Sequence, residues 1–242
     1  MPNQPSNQVE NKLLTGLRRT DRLALLQRCE AVELVFGQIL CEPGQPFQHA
    51  HFPLTGFVSV VATLGAQPPL EIGLIGNEGM LGATLALGVD AAPMRGVVQG
   101  RGSALRISRA HLRRELSASA ALRHTLERYL YVVMSQLAMS AACTHFHQVE
   151  PRLARWLLMT HDRAHAGHIH LTHLFLADML GVRRSSVSVA AAALQRDKLI
   201  GYTRGEITIL DRERLERTAC PCYAAEKAHY TRIFGATRTR PA

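Results

Sequence analysis

Apolar residues recur along this chain in two rhythms, and the change of rhythm divides it. After a polar tail over residues 1–10, Leu13, Leu14, Leu17, Leu23, Leu25 and Leu26 are spaced as in short helices. From Val32 to Ser108 short β-rich runs follow (Val32–Cys41, Phe57–Thr63, Leu70–Ile75, Gly96–Gln99, Ala104–Ile107), punctuated by turn residues such as Glu42-Pro43-Gly44 and Gly65-Ala66-Gln67-Pro68. Many short strands with regular turns predict a sandwich or jelly roll. From about Ala118 to Thr144 neither proline nor glycine interrupts the chain, and the apolar spacing settles near three and four, which predicts one long amphipathic helix.

Such a helix carries more apolar surface than a small β-domain covers. A partner helix is the natural sink, so a two-fold dimer is expected about Leu122, Leu126, Tyr129, Leu130, Val133 and Leu137. Gln148-Val149-Glu150-Pro151 reads as a hinge, since proline suits the first turn of a new helix. Leu153, Trp156, Leu157 and Leu158 form the apolar face of that helix, and a polar, His-rich loop spans His161–His170. Leu199–Tyr202 and Glu206–Leu210 alternate as a two-stranded wing turning at Arg204-Gly205, and a last helix is expected after Asp211 as its cap.

The stretch Leu176–Ala190, LADMLGVRRSSVSVA, fits the spacing of a helix-turn-helix. Ala177 is small where two helices must touch, and four residues on Gly181 can take the left-handed turn that other residues resist. Leu176, Leu180, Val182, Val187 and Ala190 fall on the packing side. Arg183, Arg184, Ser185, Ser186 and Ser188 are left to face a major groove. Ser185 is expected to cap the second helix. Thr172 and His173, at the start of the first, are candidate phosphate contacts, as is Arg204 on the wing.

Charge sharpens this picture. The chain of 242 residues has 28 Lys/Arg against 19 Asp/Glu, a formal charge of +9, and 15 against 8 of these lie from Pro151 onward. The basic excess therefore sits with the motif, as double-stranded DNA requires. No apolar run reaches a membrane span, and the N-terminus, MPNQPSNQVEN, lacks the build of a signal peptide; both point to the cytoplasm.

A β-rich half, a long helix, a hinge and a winged helix-turn-helix, in that order, resemble the CRP/FNR family of bacterial transcription regulators. The resemblance runs from about Ala31 to Leu210 and is strongest over PRLARWLL, LTHLFLADMLGVRRSSVSVAAAALQRDKLI and the wing. It implies an α+β fold. A cyclic-nucleotide-binding-like, jelly-roll-like β-roll sensor is expected over residues 1–117, a dimerisation helix over 118–147 and a winged helix-turn-helix DNA-binding domain over 148–242. It implies a homodimeric regulator of a near-palindromic operator, with RNA polymerase a candidate partner. Arg184 matches the family's base-reading arginine, whereas Ser185 and Val189 stand where the cyclic-AMP receptor has Glu and Arg, so a different operator is expected. In the cassette region Glu78 resembles the ribose-binding Glu, and Gly76, Glu78, Gly79, Met80 and Arg95 mark the candidate effector pocket. The cassette's Arg-Ser/Thr pair is replaced around Ala92-Pro93-Met94, so cyclic AMP is not the expected ligand and the effector is unknown. Two alternatives stay open: a constitutive regulator whose β-roll is a ligand-free scaffold, and a cyclic-nucleotide sensor that signals through protein contacts.

Catalysis finds no support. There is no nucleophile elbow, Walker loop or HExxH, and the glycines at 73, 76, 79 and 82 mark a loop. No metal site or cofactor is expected. Cys143, His145 and His147 are close, and His161, His165, His168 and His170 follow, but without the paired spacing of zinc sites. They read as solvated histidines, and Cys220-Pro221-Cys222 as two free thiols.

Overall fold

The structure, a computed structural model, describes residues 10–164, 169–170, 172–203 and 206–235. Two short helices, α1 (Lys12–Thr15) and α2 (Arg19–Leu26), open the chain. Asn11 fixes the first of them: its side chain accepts from the Leu13 N–H, and its amide donates to the Pro53 and Gly79 carbonyls. Five strands follow, β1 (Glu30–Leu34), β2 (Ile39–Cys41), β3 (His49–Ala62), β4 (Leu70–Ile75) and β5 (Arg95–Ser108). They form one antiparallel sheet in the order β1-β5-β3-β4, with β2 on the far part of β5.

The strands expected separately at Gly96–Gln99 and Ala104–Ile107 are one strand of 14 residues. Gly100 and Gly102 punctuate the sequence, yet here they let two backbones meet. Gly56 has φ +70°, and a Cβ there would lie 2.4 Å from the Gly100 carbonyl oxygen. The register between β3 and β5 shifts at this point, so both strands bend and the sheet curls.

The curled sheet encloses Leu34, Phe52, Val58, Met80, Leu85, Val98 and Ile107, and its open side is closed by α3 (Arg109–Ala118) and α4 (Ala120–Phe146). Ser119, in extended conformation, separates these helices and caps the second by accepting from the Leu122 N–H. Of the expected dimer face, Leu122, Leu126 and Tyr129 are buried in this same core, while Leu130 and Val133 pack partly against it and Leu137 is half-buried. The periodicity finds an apolar face; the structure gives its first half to the chain's own β-half.

After Gln148, α5 (Val149–Ala164) carries Pro151 in its first turn. Helices α6 (His173–Leu180) and α7 (Arg184–Arg196) follow, then β7 (Ile200–Thr203) and β8 (Glu206–Ile209), with β6 (Ile169–His170) pairing on β8. Leu153, Trp156, Leu157 and Leu158 are buried with Leu176, Val187, Leu194 and Ile207 in a second core. Asp211 caps α8 (Arg212–Thr218), accepting from the Arg214 N–H. A further helix, α9 (Cys222–Phe234), returns along α4: Arg128 lies over the Phe234 ring and Tyr131 against His229. Among the described residues no helix is long and apolar enough to cross a membrane.

Candidate nucleic-acid interface

The turn between α6 and α7 follows from two small residues. Gly181 has φ +63° and ψ +42°, and the Val182 N–H donates to the Ala177 carbonyl, closing the sharp bend. Ala177 is buried where the helices cross. Helix α7 starts at Arg184 with Arg183 at its N-cap and no capping side chain; Ser185, expected to cap it, is instead inside the first turn. The Ser186 and Val187 N–H groups donate to the Arg183 carbonyl, and among the described residues those of Arg184 and Ser185 are left to an external acceptor.

Arg183, Arg184 and Ser185 are exposed side by side at that end, and neither arginine has an ion-pair partner among the described residues. Ser186 is half-buried. Val189, one turn further along the same face, is 72% exposed, an apolar side chain that the described residues leave uncovered. Ser188 turns inward. Its hydroxyl donates to the Arg184 carbonyl at 3.1 Å and lies 2.9 Å from His173 Nδ1, so it accepts from that ring nitrogen. His173 also stacks on Tyr202 of β7, with ring centroids 4.6 Å apart and planes within 14°. Burial, then the charge of Arg184, holds its pKa below the usual value and keeps the ring neutral. Ser188 and His173 thus tie the start of α6 to α7 and to the wing. Thr172 is exposed and caps α6 by accepting from the Phe175 N–H at 3.1 Å. Arg204, His165 and His168 lie outside the described residues.

The candidate effector residues are each engaged elsewhere. Glu78 accepts from Arg163 of α5 at 2.7 Å, and a Cβ at Gly76 would lie 2.6 Å from the Arg163 side chain. Gly79 lies beneath the Tyr129 hydroxyl, Met80 is in the apolar core, and Arg95 pairs with Glu42 at 2.9 Å. The segment Gly76–Met80 therefore faces α4 and α5. Tyr230 of α9 adds a hydrogen bond to the Glu78 carbonyl at 2.7 Å. A cleft of about 350 Å³ lies alongside, bordered by Lys12, Glu78, Asp162, Arg163, Lys227 and Tyr230.

A second strut crosses the same seam. Trp156, the chain's single tryptophan, donates its indole N–H to Glu71 of β4 at 2.6 Å, and Ser59 of β3 donates to the other carboxylate oxygen at 2.6 Å. Leu70 reaches the α6–α7 bend, where a Cβ on Gly181 would lie 2.7 Å from it. Burial in the seam pushes the Glu71 carboxyl up to about 7, against the pull of Ser59, Trp156, Arg155 and Arg163. The docked state thus holds this proton more tightly than a state with the seam open. Docking is strongest below the ordinary carboxylate range and weakens as pH rises through about 7. Trp156 fluorescence is expected to titrate in that window, and in Glu71→Gln to be flat. A wild-type signal unchanged between about pH 5 and 8 would remove Glu71 as its source.

Sequence reasoning weighed the residues of one further assembly and set them aside, without bringing its two halves together. Cys143 and His147, at the end of α4, meet Cys220 and Cys222, which flank Pro221 at the start of α9. The three cysteines are buried and His147 is half-buried, so Cys143, Cys220 and Cys222 are not solvated; His145 is exposed and stays out of the group. The signal available in the sequence was Cys-x3-His at a one-turn helical spacing, which was too short a pattern without its distant partners.

A glycine-bent helix pair with an exposed cationic second helix, backed by a two-stranded wing, defines a winged helix-turn-helix DNA-binding unit. Residues 151–218 match the Crp-like helix-turn-helix domain family. FixK2 from Bradyrhizobium japonicum has the same fold, with a TM-score of 0.67 and 16% identity over 79% of this chain and 98% of that one. A putative crp/fnr-family transcriptional regulator from Eubacterium rectale is similar, with a TM-score of 0.67 and 16% identity over 86% and 99%. So is a CRP-family transcriptional regulator from Thermus thermophilus, with a TM-score of 0.65 and 20% identity over 78% and 96%. No curated protein sequence matches. Residues 151–218 are therefore a Crp-like helix-turn-helix domain, and the chain as a whole has the fold of the CRP/FNR-type regulators it resembles.

Proposed function

We propose that this regulator binds a near-palindromic operator as a two-fold homodimer, reading each half-site with the face of α7 that opens at Arg183 and Arg184. The observation that carries the reading is the pair of exposed guanidiniums, without ion-pair partners among the described residues, at a helix end held by the His173–Ser188–Tyr202 contacts. Arg184 would reach a guanine edge, Arg183, Ser185, Ser186 and Thr172 the backbone, and Val189 a thymine methyl. His173 and Ser188 position these groups, and Arg204 on the wing is proposed as a further backbone contact.

For the dimer, the face of α4 turned away from α9 supplies a seam. Leu130, Met134, Leu137 and Ala141 recur at coiled-coil spacing, and Met134 is 61% exposed. Domains divided near residues 117 and 147 fit this arrangement. RNA polymerase, a cytoplasmic site of action and an effector acting on the Gly76–Met80 segment complete the proposal. The apolar filling of the β-half by Phe52, Met80 and Leu85 supports a second reading, in which that half is a scaffold without a cyclic nucleotide. A thermal-shift screen separates the two, since stabilisation by any cyclic nucleotide removes the scaffold reading.

The test is selection of bound fragments from random duplex DNA by the full chain, with its mass measured in solution. Two half-sites about 34 Å apart are expected on a dimer. Val189→Ala should relax the preference at a thymine position without changing the salt dependence. A monomer with no salt-sensitive preference for any duplex overturns the proposal.

A further inference from the structure

The end of α4 and the start of α9 meet in a small sulfur-rich cluster that belongs to neither apolar core. Cys143, Cys220 and Cys222 are 1%, 3% and 6% exposed and pack on one another, with Met139 alone beside them. Cysteines that only fill space join the surrounding hydrophobic packing. These three converge instead, Sγ to Sγ, and an imidazole joins them. Cys143 Sγ lies 3.5 Å from Cys220 Sγ, and Cys222 Sγ lies 3.6 Å from His147 Nδ1. All four donor atoms lie within 4.8 Å of one another.

We propose that Cys143, His147, Cys220 and Cys222 form a closed site for one zinc-class transition-metal ion, which fastens α9 to the end of α4. Metal–sulfur and metal–nitrogen bonds of about 2.3 and 2.0 Å place the donors of a tetrahedral ion roughly 3.3–3.8 Å apart. The Cys143–Cys220 and Cys222–His147 spacings match that edge, and a set within 4.8 Å is too tight to enclose a multi-iron cluster. Three thiolates and an imidazole are the soft set that zinc prefers over magnesium or calcium. With four protein ligands the coordination is complete, which marks a structural rather than a catalytic ion.

The backbone and the charges around the site agree with this reading. Cys143 and His147 stand one helical turn apart on the same face of α4, and the His147 N–H closes the helix on the Cys143 carbonyl at 3.1 Å. The Cys220 N–H is held by the Pro151 carbonyl at 3.1 Å, so the start of α5 frames the site as well. Three thiolates around a dication leave one net negative charge. Arg155 and Arg152 lie near the sulfurs, and Glu226 pairs with Arg155 at 2.7 Å, so these groups balance it. His147 is half-buried, unlike the three cysteines, so the site lies nearest to solvent on its side. The ion would sit at the joint where the helix of the β-half passes into the DNA-binding half.

The full chain, purified anaerobically with reductant and stripped by a chelator, is titrated with Co²⁺ alone and then with Zn²⁺. Expected are one Co²⁺ per chain, thiolate-to-cobalt charge transfer with the strong visible bands of a tetrahedral ion, loss of both on adding Zn²⁺, and a higher Tm in the loaded chain. Cys222→Ser should weaken Zn²⁺ binding at least tenfold, while Cys29→Ser and His145→Ala leave it unchanged. Should a serine variant fail to fold, the titration of the unaltered chain decides. Cobalt that gives no charge-transfer band, or binding that survives Cys143→Ser, overturns the proposal. So does a Cys143–Cys220 disulfide that persists in the reduced preparation. None of these readouts involves DNA, so the site stands or falls separately from the operator reading.

Discussion

Replacing Arg183 and Arg184 together with Ala is expected to abolish selective operator binding while leaving the chain folded. Both side chains are exposed and without partners among the described residues, so unfolding free energy should stay within about 0.5 kcal/mol of the parent. The loss falls on the complex. A bidentate arginine–guanine pair discriminates by about 1–3 kcal/mol, and each phosphate neutralised adds about 0.9 to the salt slope. The single variants divide the work. Arg184→Lys keeps the charge but not the planar fork, so it should bind with the parental salt slope and lose preference at one base position. Arg183→Ala should weaken binding to all duplexes alike and reduce the slope by about one. Operator affinity unchanged in the double variant would mean that α7 does not read the groove.

The parts of this protein that were legible in the sequence are those whose physics is local. Gly181 supplies a positive φ for a turn that spans a few residues, and Ala177 lies four positions before it. Both announce the helix pair without reference to the rest of the chain. The wing is likewise local, as β7 and β8 pair across two residues. Where a residue's role depends on a distant partner, sequence reasoning went elsewhere. Glu78 looks like a ligand-binding carboxylate among glycines, yet its partner is Arg163, 85 positions away. The cysteine cluster joins positions 77 apart, and Ser188 gives to His173 the hydroxyl that helical spacing assigns to the groove. Glycines misled in a different way. Gly100 and Gly102 read as strand breaks, whereas the close approach at Gly56 makes them the means of continuing the strand.

The Glu78–Arg163 pair is the contact whose loss should cost stability most. The side chains are 14% and 11% exposed, and the guanidinium also donates to the Met159 carbonyl at 2.9 Å. Replacing Glu78 with Gln leaves a cation in the seam with a neutral partner. Breaking a buried pair on one side costs about 3–5 kcal/mol, and the residual exposure here puts the expected loss near the lower figure. Urea unfolding at neutral pH measures it. Arg163→Met alone should also destabilise, because the Glu78 carboxylate is then stranded. The pair Glu78→Gln with Arg163→Met should regain most of the loss, since a neutral seam needs no counter-charge. That pattern distinguishes charge compensation from simple packing, for which the two single losses would add. Trp156 lies across the same seam through Glu71, so its fluorescence reports whether the helix-turn-helix half has left the sheet before the chain unfolds. Losses that add, with Trp156 unmoved, would show that the seam is held by α5 packing and not by the ion pair.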